Sequence, residues 1–204
     1  MEMIMDLYIF DFDDTLAVTD SLVKIHRGEE VIKMTSREFA EFSMQEGDLV
    51  DFDDFQRAEG TLIKDTADRM LEAMADVGSS NVFIVTARAV GAPVEEWLTK
   101  ELGTSPQVVA TNGSEGKKPW LLNQLQLQEY NRVIVYEDCT HNIRDLKDAV
   151  DEFNAANSST VEYTAMCILP NQSIVKAESR WRPENLITEW DFREITKKFL
   201  RKTW

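Results

Sequence analysis

Short apolar runs alternate along this chain with longer segments that have helical periodicity. Four of the runs are rich in β-branched and aromatic residues, and each leads into a polar residue. They are residues 7–10 before Asp11, 82–85 before Thr86, 108–110 before Thr111 and 133–136 before Glu137. Short, continuous apolar runs of this kind are typical of strands buried on both faces of a sheet. A fifth candidate strand, residues 163–169, stops at Pro170.

The segments between the runs predict helices, because their apolar residues recur at spacings of three and four. One helix is predicted from Leu62 to Val77, with Gly78 as its C-terminal stop. Others are predicted at residues 93–102, 119–127 and 143–153. Strands that alternate with helices favour right-handed crossovers and a mostly parallel sheet. The pattern therefore predicts an α/β fold, in which a Rossmann-like, mostly parallel sheet is flanked by helices.

Residues 17–60 interrupt this alternation, and residues 171–204 extend beyond it. Within the first segment, Thr35–Ser36–Arg37–Glu38 has the pattern of a capping box, which predicts a short helix through Phe39 and Phe42. We expect residues 1–204 to form one domain, with residues 17–60 as a small cap insert after the first strand, over the top of the sheet. Residues 171–204 are expected to form a C-terminal helical extension, whose last helix begins near Asp191.

Charge and composition narrow the classes of function. The 204-residue chain has 37 acidic and 22 basic side chains, so its formal net charge is −15. This charge disfavours nucleic acid as a partner, because sequence-independent binding needs a basic surface. The two cysteines are too few for a disulfide framework, the first residues lack the features of a signal peptide, and no apolar run is long enough to span a membrane. We therefore expect a cytoplasmic protein with no membrane partner.

The polar residues after the predicted strands suggest where the chemistry lies. In open α/β sheets, ligands bind beyond the carboxyl ends of the strands. Asp11, Asp13 and Asp14 follow the first strand, and carboxylates placed so close together repel one another. A divalent cation relieves that repulsion, and Mg²⁺ suits a site made only of oxygen ligands. Taken alone, such a cluster is more typical of an acidic turn that caps a helix.

Four motifs together resemble those of the haloacid dehalogenase-like (HAD) superfamily. Residues 11–16, Asp-Phe-Asp-Asp-Thr-Leu after an apolar strand, are similar to its motif I, and Thr86 at the end of residues 82–85 is similar to motif II. A lysine in residues 116–119, Gly-Lys-Lys-Pro, resembles motif III, and the acidic pair at 137–138 resembles motif IV. The order and approximate spacing agree over roughly residues 5–155.

The resemblance implies a HAD fold of three layers and a phosphatase mechanism. Asp11 would attack phosphorus to form an aspartyl-phosphate, and Asp13 would act as acid and then as base. Thr86 would bind a phosphoryl oxygen, and the lysine of motif III would neutralise charge. Mg²⁺ would be held by Asp138, by the side chain of Asp11 and by the backbone carbonyl of Asp13. The residues expected to contact substrate are Thr15, Ala87, Arg88 and Lys117.

Two positions stay open. Lys118 is favoured as the motif III lysine because Leu121, Leu122 and Leu125 lie three, four and seven residues beyond it, but Lys117 is the alternative. Many superfamily members carry a second aspartate four residues after the motif IV aspartate, where this chain has Asn142. Either Glu137 supplies the second carboxylate of the metal site, or Asn142 serves as a neutral ligand or an orienting group.

These observations favour a Mg²⁺-dependent phosphomonoester hydrolase that acts on a small phosphorylated metabolite, such as a nucleotide or a sugar phosphate. A polynucleotide end phosphatase is the first alternative. Arg88 favours it, because a Thr-(Gly/Ala)-Arg form of motif II is similar to that of polynucleotide kinase-phosphatases, whereas the charge of −15 opposes it. The second alternative is a binding module that has kept the fold without catalysis.

Overall fold

A computed structural model describes residues 5–40 and 42–177 of the chain. The strands are β1 (Asp6–Phe10), β2 (Ala17–Thr19), β3 (Val23–Arg27), β4 (Glu30–Met34), β5 (Leu49–Asp51), β6 (Gly60–Leu62), β7 (Val82–Thr86), β8 (Gln107–Ala110), β9 (Arg132–Glu137), β10 (Glu162–Ile168) and β11 (Ile174–Ala177). The helices are α1 (Ser36–Ala40), α2 (Lys64–Val77), α3 (Ala92–Leu102), α4 (Lys117–Leu127) and α5 (Thr140–Asn157).

Six strands form one twisted sheet in the order β11-β10-β9-β1-β7-β8. Every neighbouring pair from β10 to β8 is parallel, and only β11 at the edge is antiparallel. All five apolar runs that predicted strands lie in this sheet. The prediction of an α/β protein with a mostly parallel sheet flanked by helices is therefore confirmed, and the architecture is compatible with a Rossmann-like fold.

Alternation along β1 separates the two faces of the sheet. Leu7 and Ile9 point into a core formed with α4 and α5, whereas Phe10 belongs to the opposite core, formed with α2 and α3. Because helices cover both faces, the central strands are apolar at nearly every position, and all five residues of β7 are buried. The sheet is thus a rigid platform whose carboxyl edge carries the polar residues.

The helices lie close to their predicted positions, with one informative shift. Helix α4 begins at Lys117, two residues before the predicted start at Pro119. Proline at the third helical position is tolerated because the N–H groups of the first turn have no partner within the helix. The shift decides which lysine faces the sheet.

Residues 17–62 leave the main sheet after β1 and return to it before α2. Strands β2 and β6 pair antiparallel and close this insert at its base. Gly60 is required there, since its φ of 147° and the nearby carbonyl of Val18 leave no room for a Cβ atom. The remainder forms a three-stranded sheet in the order β4-β3-β5, packed around Val23 and Ile25.

The capping box of the insert is present. The Thr35 backbone N–H donates to Glu38 Oε2 at 2.8 Å, and the Glu38 N–H donates to Thr35 Oγ1 at 3.2 Å. The short helix α1 follows as predicted, although it ends at Ala40 rather than at Phe42. Capping therefore sets where α1 begins, and it places Arg37 in the first turn of that helix.

The C-terminal prediction needs one correction. Residues 171–177 are not helical: a turn at residues 169–172 reverses the chain, and β11 then pairs antiparallel with β10. Gln172 has a φ of 65°, and its N–H donates to the carbonyl of Leu169 at 2.7 Å, which tightens this turn. The helix predicted near Asp191 lies outside the described residues. Among the described helices, none combines the length and apolarity that a membrane span requires.

Candidate active site

The candidate site lies at the carboxyl ends of β1, β7 and β9. The Asp11 N–H donates to the carbonyl of Tyr136 at 2.9 Å, so Asp11 is still held by the neighbouring strand. The chain then turns sharply, because the carbonyl of Phe12 accepts hydrogen bonds from three following N–H groups. Asp14 takes a left-handed φ of 58°, which aspartate tolerates better than most residues. Asp11, just before this turn, therefore lies beside the acidic pair at the end of β9.

Three carboxylates meet at this edge: Asp11 and Glu137 are buried, and Asp138 is partly buried. One oxygen from each of Asp11, Glu137 and Asp138 lies within 4.8 Å of the others. Burial, followed by the negative charges nearby, raises the pKa of Asp11 well above its usual value of 3.8. The same two causes raise the pKa of Asp138 to about 7. The fold thus holds acidic groups in an arrangement that needs positive charge.

Lys117 supplies part of that charge. Its Nζ donates to Asp11 Oδ1 at 2.7 Å and to Glu137 Oε2 at 2.6 Å, and its side chain is 2% exposed. Burial alone would lower the pKa of this lysine, but the two carboxylates outweigh burial and raise it above its usual value. An ammonium group therefore bridges the carboxylate after β1 and the carboxylate that ends β9.

The preference for Lys118 is corrected by this geometry. Lys118 points away from the cluster, pairs with Glu152 at 3.1 Å, and is 36% exposed. Successive residues of a helix lie about 100° apart around its axis, so only one of two adjacent lysines can face the sheet. Lys117, Leu121 and Leu125 are the buried residues of α4, and their spacing of four is the signal in the sequence that identifies the inward lysine.

Arg88 also departs from its predicted role as a substrate ligand. Its Nε and Nη2 donate to the two carboxylate oxygens of Asp13, at 2.9 and 2.7 Å, and Nη2 donates also to Ser21 Oγ. Its Nη1 donates to the backbone carbonyls of Phe55 and Arg57 in the insert. All five N–H groups are therefore used, and the side chain is 1% exposed. Arg88 holds the insert against the motif I loop.

Asp13 consequently stands apart from the carboxylate cluster. Both of its oxygens accept from Arg88, and Oδ1 also accepts from the Thr19 hydroxyl at 2.7 Å. The cluster of possible metal-ligating side chains among the described residues comprises Asp11, Glu137 and Asp138, without the Asp13 side chain.

Three smaller residues, Thr15, Thr86 and Ala87, were also predicted to belong to the site, and they differ in burial and in their contacts. Thr15 is buried, and its hydroxyl lies 3.5 Å from Asp138 Oδ1. Thr86 is buried at the end of β7, and its Oγ1 accepts from the Arg88 N–H at 3.3 Å. Ala87 is exposed, and its carbonyl accepts from the Gly113 N–H at 2.8 Å, which ties the loop after β7 to the loop before α4.

Arg37 is a site residue that the sequence analysis did not identify. From α1 of the insert, its Nε and Nη2 donate to Asp138 Oδ2 at 3.2 and 2.9 Å. Its Nε also lies 3.9 Å from Asp14 Oδ2. The 101 residues that separate Arg37 from Asp138 left no local pattern from which this pairing could be predicted.

The donor set of the cluster fits a hard divalent cation. Its three ligand groups are carboxylates, and four residues after Asp138, in the first turn of α5, Asn142 is buried and its Oδ1 accepts no hydrogen bond from the described part of the chain. A buried amide oxygen without a partner is costly and calls for an electropositive neighbour. Oxygen ligands alone suit Mg²⁺ or Ca²⁺ and not the softer metals.

The raised pKa of Asp138 predicts a pH dependence of stability. A carboxyl group whose pKa is higher in the folded than in the unfolded protein stabilises the fold at low pH, and this contribution is lost as the pH rises from 3.8 toward 7. The free energy of unfolding of the wild type should therefore fall between about pH 5 and about pH 8. In Asp138→Asn this fall should be smaller by about 1–3 kcal/mol.

Urea unfolding at the two pH values measures this effect. Asp68→Asn, which removes an exposed carboxylate of α2, is the matched control and should keep the wild-type fall. Equal falls in the wild type and Asp138→Asn would contradict the prediction.

No family model matches the chain, and no curated protein or solved structure matches it either. What the fold and the site define is an α/β protein with a mostly parallel sheet. Its buried carboxylates gather around a lysine at the carboxyl edge of that sheet.

Proposed function

We propose that this chain is a Mg²⁺-dependent phosphomonoester hydrolase of the HAD-like superfamily, with Asp11 as the nucleophile. One observation carries the proposal: Lys117 Nζ bridges Asp11 and Glu137 while Asp138 lies beside them, at the strand ends where ligands of open α/β sheets bind. An acidic turn that merely caps a helix gives no reason to bury a lysine between two distant carboxylates. Residues from motifs I, III and IV of the resemblance meet at this one place.

Asp11 and Lys117 would act as a pair. Asp11 Oδ1 is bound to Lys117, which leaves Oδ2 as the oxygen that attacks phosphorus and forms the acyl-phosphate bond as the alkoxide or aryloxide leaves. Lys117 lowers the pKa of Asp11 against the larger effect of burial, and it would offset negative charge as the phosphoryl group arrives. The Thr86 hydroxyl, at the end of the neighbouring strand, would donate a hydrogen bond to a phosphoryl oxygen.

Asp13 would move the protons. Asp13 would start as a protonated carboxyl group and give its proton to the leaving oxygen, and the resulting carboxylate would later take a proton from the water that hydrolyses the aspartyl-phosphate. Arg88 fixes the orientation of this carboxylate by binding both of its oxygens. The two aspartates of motif I thus have different surroundings, as two different roles require.

The groups that would hold Mg²⁺ are the side chains of Asp11, Asp138 and Glu137 and the backbone carbonyl of Asp13, with the Asn142 amide oxygen as a further ligand. Glu137 Oε2 is taken by Lys117 and its Oε1 accepts from the Cys139 N–H at 3.1 Å, so Glu137 would act directly or through water. When bound, the cation shields the repulsion between the Asp11 carboxylate and the incoming phosphate.

A small phosphorylated metabolite is the substrate class that this site supports. Arg88, the residue that favoured a nucleic-acid end, has every donor engaged inside the protein and offers none to a phosphate. The net charge of −15 further disfavours a polyanion. The insert contacts the site through Arg37 and Arg88, so it borders the entrance that a substrate would use.

Hydrolysis of an aryl phosphate tests the proposal. We expect release of the phenol with Mg²⁺ in the buffer, and a fall of about 100-fold or more when EDTA replaces it. The assay follows absorbance of the released aryl alcohol, with restoration by excess Mg²⁺ as the control. Equal, near-zero rates under all three conditions, together with intact binding of phosphate, would favour the binding module instead.

A further inference from the structure

Arg37 donates its hydrogen bonds to one carboxylate oxygen of the core, and its Nε also lies 3.9 Å from Asp14 Oδ2. Its Nε and Nη2 both donate to Asp138 Oδ2, while Asp138 Oδ1 faces the Thr15 hydroxyl. The side chain is 31% exposed, in contrast to the fully buried Lys117. It extends from a helix of five residues in the insert, not from the rigid sheet. The two cations of the cluster therefore differ: Lys117 is built into the core, and Arg37 reaches the cluster from its solvent side.

The two cations also have different partners. Lys117 is shared by Asp11 and Glu137, and within the described ranges 5–40 and 42–177 the cation paired with Asp138 is Arg37. A divalent cation at the cluster would need an oxygen of Asp138 and would stand close to the guanidinium. Like charges at such a distance repel, and both compete for one carboxylate. Cation binding and the Arg37–Asp138 pair should therefore oppose each other.

We propose that Arg37 is the insert's ligand for the substrate phosphate: it neutralises Asp138 until a divalent cation binds there, and it then pairs with the phosphoryl oxygens. This inference rests on the proposed function. A guanidinium presents a planar fork of N–H groups that matches the oxygens of a phosphate. Arg88, the other arginine at the site, cannot take this role because its donors are all engaged. Arg37 is partly exposed and already lies beside the cluster.

The proposal predicts that one substitution changes the affinities for Mg²⁺ and for phosphate in opposite directions. Arg37→Met should tighten the binding of Mg²⁺, without phosphate, by about fivefold or more, because a competing positive charge is gone. The same variant should weaken the binding of inorganic phosphate, in saturating Mg²⁺, by about tenfold or more. Isothermal titration calorimetry measures both affinities without any turnover.

Two further variants complete the test. Arg27→Met is the matched control, since Arg27 is an insert arginine with 30% exposure that pairs with Asp48 instead of a cluster carboxylate. It should leave both affinities within about twofold of the wild type. Arg37→Lys keeps the charge and loses the fork, so it should bind Mg²⁺ like the wild type and phosphate more weakly.

The outcomes separate this inference from the proposed function. If the wild type binds Mg²⁺ and phosphate but Arg37→Met changes neither, or weakens both alike, Arg37 is a structural contact and the inference is overturned while the hydrolase proposal stands. If the wild type binds neither ligand, both proposals are overturned. Circular dichroism of each variant checks that α1 and the insert remain folded.

Discussion

Asp11→Asn is expected to lower the Mg²⁺-dependent hydrolysis of an aryl phosphate by about 10³-fold or more, because an amide cannot form the aspartyl-phosphate. The variant should nevertheless fold. Burial and neighbouring carboxylates raise the pKa of Asp11, so its ionised form opposes folding at neutral pH. Removing that charge should leave the free energy of unfolding at least as high as in the wild type. Steady-state kinetics and urea denaturation of the same preparation measure the two quantities.

Asp14→Asn is the matched control for this experiment. Asp14 lies in the same loop, three residues further on, and its left-handed φ of 58° is one that asparagine also adopts. Asp14 is neither the proposed nucleophile nor a proposed metal ligand, so its replacement should change the rate by less than about tenfold. Comparable losses in both variants would assign the effect to the loop and not to the nucleophile.

Lys117→Met is expected to lower the free energy of unfolding by about 3–5 kcal/mol at neutral pH. The apolar side chain fills most of the volume of lysine, but it leaves Asp11 and Glu137 buried beside each other without a cation. Two such carboxylates must either remain uncompensated or take up a proton. The loss should therefore become smaller toward acidic pH, which urea unfolding across a pH series measures.

Lys118→Met provides the comparison on the same helix. Lys118 is partly exposed and pairs with Glu152 at the surface, and surface ion pairs contribute about 0–1 kcal/mol. Its replacement should change stability by less than about 1 kcal/mol. An equal or greater loss in Lys118→Met would contradict the placement of Lys117 between the two carboxylates.

The layout of the sheet was predictable because its signals are local. Each apolar run is short and continuous, and helices with matching apolar faces separate the runs, so composition within a few residues suffices to place a strand. The same reasoning places Asp11, Glu137 and Asp138 at one edge, since parallel strands end on the same side. The capping box also acts within four residues, and it placed α1 correctly.

The choice between Lys117 and Lys118 failed for a physical reason. Assigning the helix start to Pro119 put both lysines before the helix, where their directions cannot be deduced. Once α4 begins at Lys117, its buried stripe includes Leu121 and Leu125, and the inward lysine is determined by spacing. A shift of two residues at a helix start, well within ordinary uncertainty, was enough to exchange the two side chains.

The partners of Arg37 and Arg88 could not be predicted from local sequence patterns, because they depend on the three-dimensional path of the insert. Arg88 donates to backbone carbonyls more than 30 residues away, and Arg37 reaches a carboxylate 101 residues away. No periodicity carries information over those separations. Arginine beside motif II was compatible with a phosphate ligand and with an ion pair, and only the three-dimensional path of residues 17–62 decided for the ion pair.

The backbone hydrogen bonds between Arg88 and the insert affect how much sequence divergence the insert can tolerate. The groups that hold the guanidinium at positions 55 and 57 are main-chain carbonyls, which every amino acid possesses. Selection at positions 55 and 57 would therefore act on the backbone conformation and not on the identity of the residue. Inserts that share little sequence can supply these two carbonyls equally well, whereas a grafted loop of different length, however similar in composition, would leave Nη1 of Arg88 without acceptors.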